Sequence, residues 1–193
     1  MSEMYLFDTS ALIEFAVPSA RSRWIASQLD ESVAHTYHLV SLSELARQSH
    51  PEAYGTDQRA EDRARQRRGL ITVLAEHHRA GRQLLYRRRF LPLPIADNQL
   101  TFAAELSREL SSACYDRSGE FHAPCSLADH LIVCAGLHHK RVGCDVTLVT
   151  GDHHQLEVAH RLGLTWVYAR GHRRHDARPG PFPWGDGTAR WIH

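Results

Sequence analysis

Four carboxylates in this sequence stand where an apolar run gives way to helix-forming residues, and as a set they are equipped for chemistry that none could perform alone. Asp8 follows Met4-Tyr5-Leu6-Phe7 and precedes Thr9-Ser10 and Ala11-Leu12-Ile13. Glu44 closes Ser41-Leu42-Ser43-Glu44, Asp129 closes Ser126-Leu127-Ala128-Asp129, and Asp152 follows Val146-Thr147-Leu148-Val149-Thr150-Gly151. Each has a plain structural reading. Asp is a strong helix cap, the Ser-to-acid spacings are those of capping boxes, and Asp152 has Gln155 three residues on. The set means more than its members, because a parallel sheet aims several helix starts at its carboxyl edge, where α/β proteins bind ligands.

Electrostatics decides what such a set would need. Two unit charges about 4 Å apart near a protein surface repel by on the order of 4 kcal/mol, whereas a helix terminus returns only about 0.3–1 kcal/mol. Convergent carboxylates must therefore take up protons or bind a divalent cation. An oxygen-only donor set suits Mg2+ or Mn2+ rather than zinc, and such an ion lowers the pKa of water and clamps phosphate oxygens. The histidine pairs His77-His78, His138-His139 and His153-His154 make no zinc site, since neighbours on a helix point about 100° apart.

Other chemistries find less support. A phosphotransferase of the haloacid-dehalogenase type needs a second Asp two residues after the first, where this chain has Ser10. A receiver-type regulatory domain needs a positioned lysine, and the single lysine, Lys140, lies at a helix end. No glycine-rich nucleotide loop is present.

The elements that would position the acids read in order along the chain. Tyr5–Phe7 suits a buried strand and Ala11 onward a helix capped by Asp8 or Ser10. Pro18-Ser19 restarts the chain into a helix reaching Asp30, a strand spans Val33 to Val40, and the Ser41-to-Glu44 box opens the next helix. A long helix is predicted from Asp57 to Arg82. Phe90 to Pro94 permits a short edge strand, Asp97-Asn98 caps a helix through Leu110, and Tyr115 to Pro124 reads as a loop. Ser126 then opens a helix, Val146–Val149 is the clearest strand, Asp152 precedes a helix stopped by Gly163, and Leu164–Tyr168 is the last strand. This alternation predicts a mainly parallel sheet flanked by helices.

With 193 residues, 42% hydrophobic and 23% charged, the chain suits one globular domain over 1–170, an insertion at about 51–90 and a Gly/Pro-rich basic tail at 171–193. No apolar run is long enough to span a bilayer, so no membrane partner and a cytoplasmic location are expected. Cys114, Cys125, Cys134 and Cys144 are spaced too irregularly for a paired motif and are expected reduced. Net charge is +1, yet Pro51 to Phe90 holds ten arginines against five acids. Arginine suits bidentate phosphate contact and stacking on bases, which makes Arg65, Arg67 and Arg68 candidate RNA contacts; a solvated helix face is the alternative.

Phe7-Asp8-Thr9-Ser10-Ala11-Leu12, Ser43-Glu44-Leu45, Ala128-Asp129-His130-Leu131-Ile132 and Leu148-Val149-Thr150-Gly151-Asp152, in this order, resemble the PIN-domain nucleases and among them the VapC-type toxins. The resemblance implies a Rossmann-like α/β PIN fold and a Mg2+- or Mn2+-dependent endoribonuclease. Asp8, Glu44, Asp129 and Asp152 would be its metal-binding and catalytic acids, with Thr9 and Thr150 as supporting hydroxyls. It further implies an RNA substrate, a homodimer and a cognate antitoxin. Gln155 departs from the pattern, standing where relatives commonly carry another Asp, and the arginine-rich segment makes the chain longer than a minimal toxin. A solitary nuclease without antitoxin, or a degenerate module that binds RNA or protein and keeps the acids as caps, are the alternatives.

Overall fold

A computed structural model describes residues 2–50, 58–80, 90–97, 101 and 126–170. The predicted helix through Leu110, the loop at 115–124, Cys114, Cys125 and the tail from Gly171 lie outside the described residues. Five strands form one sheet: β1 (Glu3–Phe7), β2 (Ala34–His38), β3 (Phe90–Leu93), β4 (Asp145–Thr150) and β5 (Thr165–Tyr168). Their order is β3-β2-β1-β4-β5 and every pairing is parallel. The proline-bearing β3 takes an edge, as a strand with missing donors must.

Both faces of this sheet are covered, and the sequence alternation sorts the side chains between them. On one face Tyr5, Phe7, Tyr37, Val149 and Val167 pack with Phe15 of α1 (Thr9–Ala16), Ile25 of α2 (Ala20–Gln28), Leu45 of α3 (Val40–Arg47) and Leu74 of α4 (Gln58–Ala80). On the other, Met4, Leu6, Leu148 and Trp166 meet Ile132 of α5 (Leu127–Arg141) and Leu156 of α6 (His153–Arg161). Residues one apart in β1 thus serve opposite cores. Ser19 caps α2 in a box with Ser22, and Gly163, at φ +74°, ends α6 as its sequence position predicts. Cys134 and Cys144 are free thiols, as expected.

One predicted local motif is wrong. Ser41 and Glu44 form no capping box, because α3 begins earlier, at Val40, after Leu39, which makes no side-chain cap. Glu44 therefore lies inside α3, and its carboxylate is committed elsewhere.

The strand order decides where the acids meet. From β1 the chain moves to β2 on one side of the sheet, and from β4 to β5 on the other, so β1 and β4 flank the point where the winding reverses. Helices that cross back between parallel strands begin or end at the carboxyl edge, which opens a crevice at that reversal.

Candidate active site

Asp8 leaves β1 beside Val149 of β4, to whose carbonyl its amide donates at 3.0 Å. Its side chain caps α1: Oδ1 accepts from the Ala11 amide at 2.6 Å. Thr150, the last residue of β4, donates from Oγ1 to Asp8 Oδ2 at 2.7 Å, and the Ser10 hydroxyl lies 2.9 and 2.8 Å from the two oxygens. Ser10 Oγ also accepts from the Gly151 amide at 2.8 Å. A Cβ on Gly151 would stand 3.0 Å from that oxygen, a mark of how closely the two loops approach.

Asp8 is 2% exposed. Burial pushes its carboxyl up to about 7, against the opposing pull of the Ala11, Thr150 and Ser10 donors, and the nearby negative charge of Asp129 adds to the rise.

The other acids arrive from three further elements. Glu44 in α3 accepts from the Thr9 hydroxyl at the start of α1. Burial raises its carboxyl above the usual range, Thr9 opposes the shift, and Asp129 again adds to it. Asp129 does form its predicted box at the start of α5: its Oδ2 accepts from the Ser126 amide at 2.7 Å and hydroxyl at 2.8 Å. Burial raises Asp129 despite these donors, with Asp152 contributing repulsion. Asp152 precedes α6, its amide donating to Thr150 Oγ1 at 2.9 Å and its carbonyl accepting from Leu156.

Asp129 is thus the hub, within electrostatic reach of Asp8, Glu44 and Asp152. All four predicted acids and both supporting threonines fall in this one region. Ser10 and Ser126 belong with them as residues that hold carboxylates. Ser126 was legible as the partner of Asp129 in its capping box, whereas Ser10, a candidate cap in the sequence, instead holds the Asp8 carboxylate.

As they lie, no group of three His, Cys, Asp or Glu side chains among the described residues is gathered tightly enough to hold an ion. The carboxylates of Asp8, Glu44 and Asp129 are instead occupied by hydroxyls and backbone amides. The donor set nevertheless fits a hard dication in its chemistry: the acids are all-oxygen ligands, and Asp8, Glu44 and Asp129 pay for burial and mutual repulsion that a dication would relieve.

The three candidate RNA-contacting arginines do not share one face. The buried stripe of α4 runs through Ala60, Ala64, Leu70 and Leu74. Arg67 follows Ala64 by three residues, so it falls on that stripe, half-buried beside Ile13, Ala16 and Val17 of the α1 end. Arg65, with its side chain 70% exposed, and Arg68 point outward. Both are partly answered by acids, Arg65 by Asp62 at 3.9 Å and Arg68 by Glu61 at 4.0 Å, and Arg68 also donates to the Ser49 carbonyl.

No protein-family model and no curated protein matches the sequence. Solved structures do. A chain of VapBC2 from Rickettsia felis, bound to a DNA fragment from its promoter, superposes with a TM-score of 0.51 at 12% identity over 86% of this chain and 98% of the other. VapBC-1 from nontypeable Haemophilus influenzae gives 0.50 at 17% identity, over 86% and 98%. The fold is that of a VapC-like PIN domain. Within this PIN fold the four acids occupy the carboxyl edge beside the β1–β4 reversal. Among the described residues, no helix is long and apolar enough to cross a membrane.

Proposed function

We propose that this protein is a metal-dependent endoribonuclease that hydrolyses RNA phosphodiester bonds, and the toxin of a type II toxin–antitoxin pair. The observation that carries the proposal is the coupling of four carboxylates from separate elements through Asp129, in a place buried enough to raise the Asp8 carboxyl to about 7. Asp8, Glu44, Asp129 and Asp152 would hold Mg2+ or Mn2+. The ion, when bound, supplies Lewis acidity toward water and phosphate. The chain's own part is to orient and to exchange protons. Thr150, Ser10 and the Ala11 amide hold both oxygens of Asp8, Thr9 holds Glu44, and Ser126 holds Asp129, so the acids are presented on rigid supports. Asp8, half-protonated near neutral pH, must release its proton before it can serve as an anionic ligand.

The likeness to VapBC assemblies supports an antitoxin partner. A small antitoxin would restrain the enzyme, and two copies of the chain would form a homodimer. Arg65 and Arg68, on the exposed side of α4, would contact the RNA backbone.

A second reading has one observation behind it: Asp8 and Asp129 already cap helices, and no ion shell is assembled among the described residues. On that reading the protein is a non-catalytic module that binds RNA or protein. One experiment separates the two. Labelled RNA incubated with the purified protein and Mn2+ should be cut, and cutting should stop in excess chelator and in Asp129→Asn, whose amide retains the Ser126 contact. Cleavage that survives both changes would refute the proposal, and a wild type that never cleaves supports the second reading.

A further inference from the structure

We propose that Gln155 supplies a neutral oxygen to the divalent-cation shell at this site, a ligand role that completes the carboxylate set without adding charge. The inference rests on the metal-dependent reading above. Gln155 is fully buried in the first turn of α6, yet its Oε1 has no hydrogen-bond partner among the described residues. Its Nε2 leans on the main-chain carbonyl of Asp129 at 3.5 Å, the outer limit of a hydrogen bond. Buried amides ordinarily pair both ends, so an acceptor kept out of water and left open calls for a donor that is missing.

The neighbours define that donor. Gln155 touches Asp129 and follows Asp152 by three residues, a spacing that puts the two on one side of the helix. Ionised carboxylates are acceptors only and cannot satisfy Oε1. A hard dication or the water it carries can, since amide carbonyls are ordinary ligands of such ions and Mg2+ retains part of its hydration. Neutrality matters here. A fifth carboxylate would add repulsion to three acids already raised by burial and by one another, whereas an amide offers the oxygen without the charge.

The test uses the full chain and Mn2+ as the probe, with affinity read by calorimetric titration and stability by thermal unfolding with and without the ion. Gln155→Met keeps the length of the side chain and removes its carbonyl. It should retain the metal-free melting temperature while binding Mn2+ at least roughly tenfold more weakly. Gln155→Glu should melt lower than wild type without metal and recover in Mn2+, giving the larger metal-induced shift. Wild-type Mn2+ affinity in Gln155→Met would overturn the inference and leave the metal-dependent reading standing. A wild type that binds no Mn2+ would overturn both. Should Gln155→Met fail to fold, Gln155→Glu carries the decision, and a metal-induced shift no larger than that of wild type overturns the inference.

Discussion

At the amino edge of the sheet, Glu3 begins β1 and Asp145 begins β4, directly opposite each other in the ladder. They line a cavity of about 450 Å³ together with His160 and Trp166. At the carboxyl edge of the same two strands stand Asp8 and Thr150, with Glu44, Asp129 and Asp152 arriving around them. Acids thus gather at both edges of the same two strands. The difference is water. Glu3 and Asp145 are exposed, so solvent and salt screen them. Asp8 is enclosed by α1 and the end of β4, where the charged form loses hydration that its hydrogen bonds only partly replace. Desolvation, more than the presence of clustered acids, separates the two edges.

The sharpest way to break this contrast is to neutralise the buried acid. Asp8→Asn should abolish RNA cleavage and, in metal-free protein above pH 7, stabilise the fold by on the order of a few kcal/mol. The sign follows from linkage. A carboxyl raised from 3.8 to about 7 binds its proton more tightly in the folded state, so its contribution is present below about pH 4 and is lost as pH rises through about 7. Glu44 and Asp129 are shifted in the same direction. Chemical denaturation of metal-free wild type from pH 4 to 8 should show falling stability, and Asp8→Asn should flatten the curve. A wild-type curve that rises over that interval would contradict the burial argument.

A smaller effect is expected at the surface of α4. Replacing Arg65 and Arg68 together by glutamine should weaken RNA binding and flatten its salt dependence by roughly 0.7 log units per lost single-strand phosphate contact. Arg67, turned toward α1, should contribute to stability instead. An unchanged salt slope in the double variant would return α4 to a solvated face. The smallest effect belongs to the amino edge: Glu3→Gln combined with Asp145→Asn should leave cleavage unaltered and move stability by no more than about 0.5 kcal/mol per site. Loss of cleavage there would collapse the distinction between the two edges.

Much of this protein was determined locally. The alternation in β1 and β4, the Ser126-to-Asp129 box, the Asp8 cap and the stop at Gly163 depend on residues within a few positions of one another, and the chain forms them as its sequence predicts. Glu44 shows where local reasoning fails. Its spacing from Ser41 matches a capping box, but α3 starts two residues too early for one, and the partner that claims the carboxylate is Thr9, 35 residues away. Arg67 looked equivalent to Arg65 and Arg68 until the inward stripe of α4 met α1. The meeting of the four acids is likewise tertiary, because it depends on strand order: β1 and β4 are far apart in the chain and adjacent in the sheet. Sequence patterns specify which residues begin a helix or face a core, but the burial that raises Asp8 and couples it to Asp129 arises only when the separate helix starts are brought to one edge and water is driven out from between them.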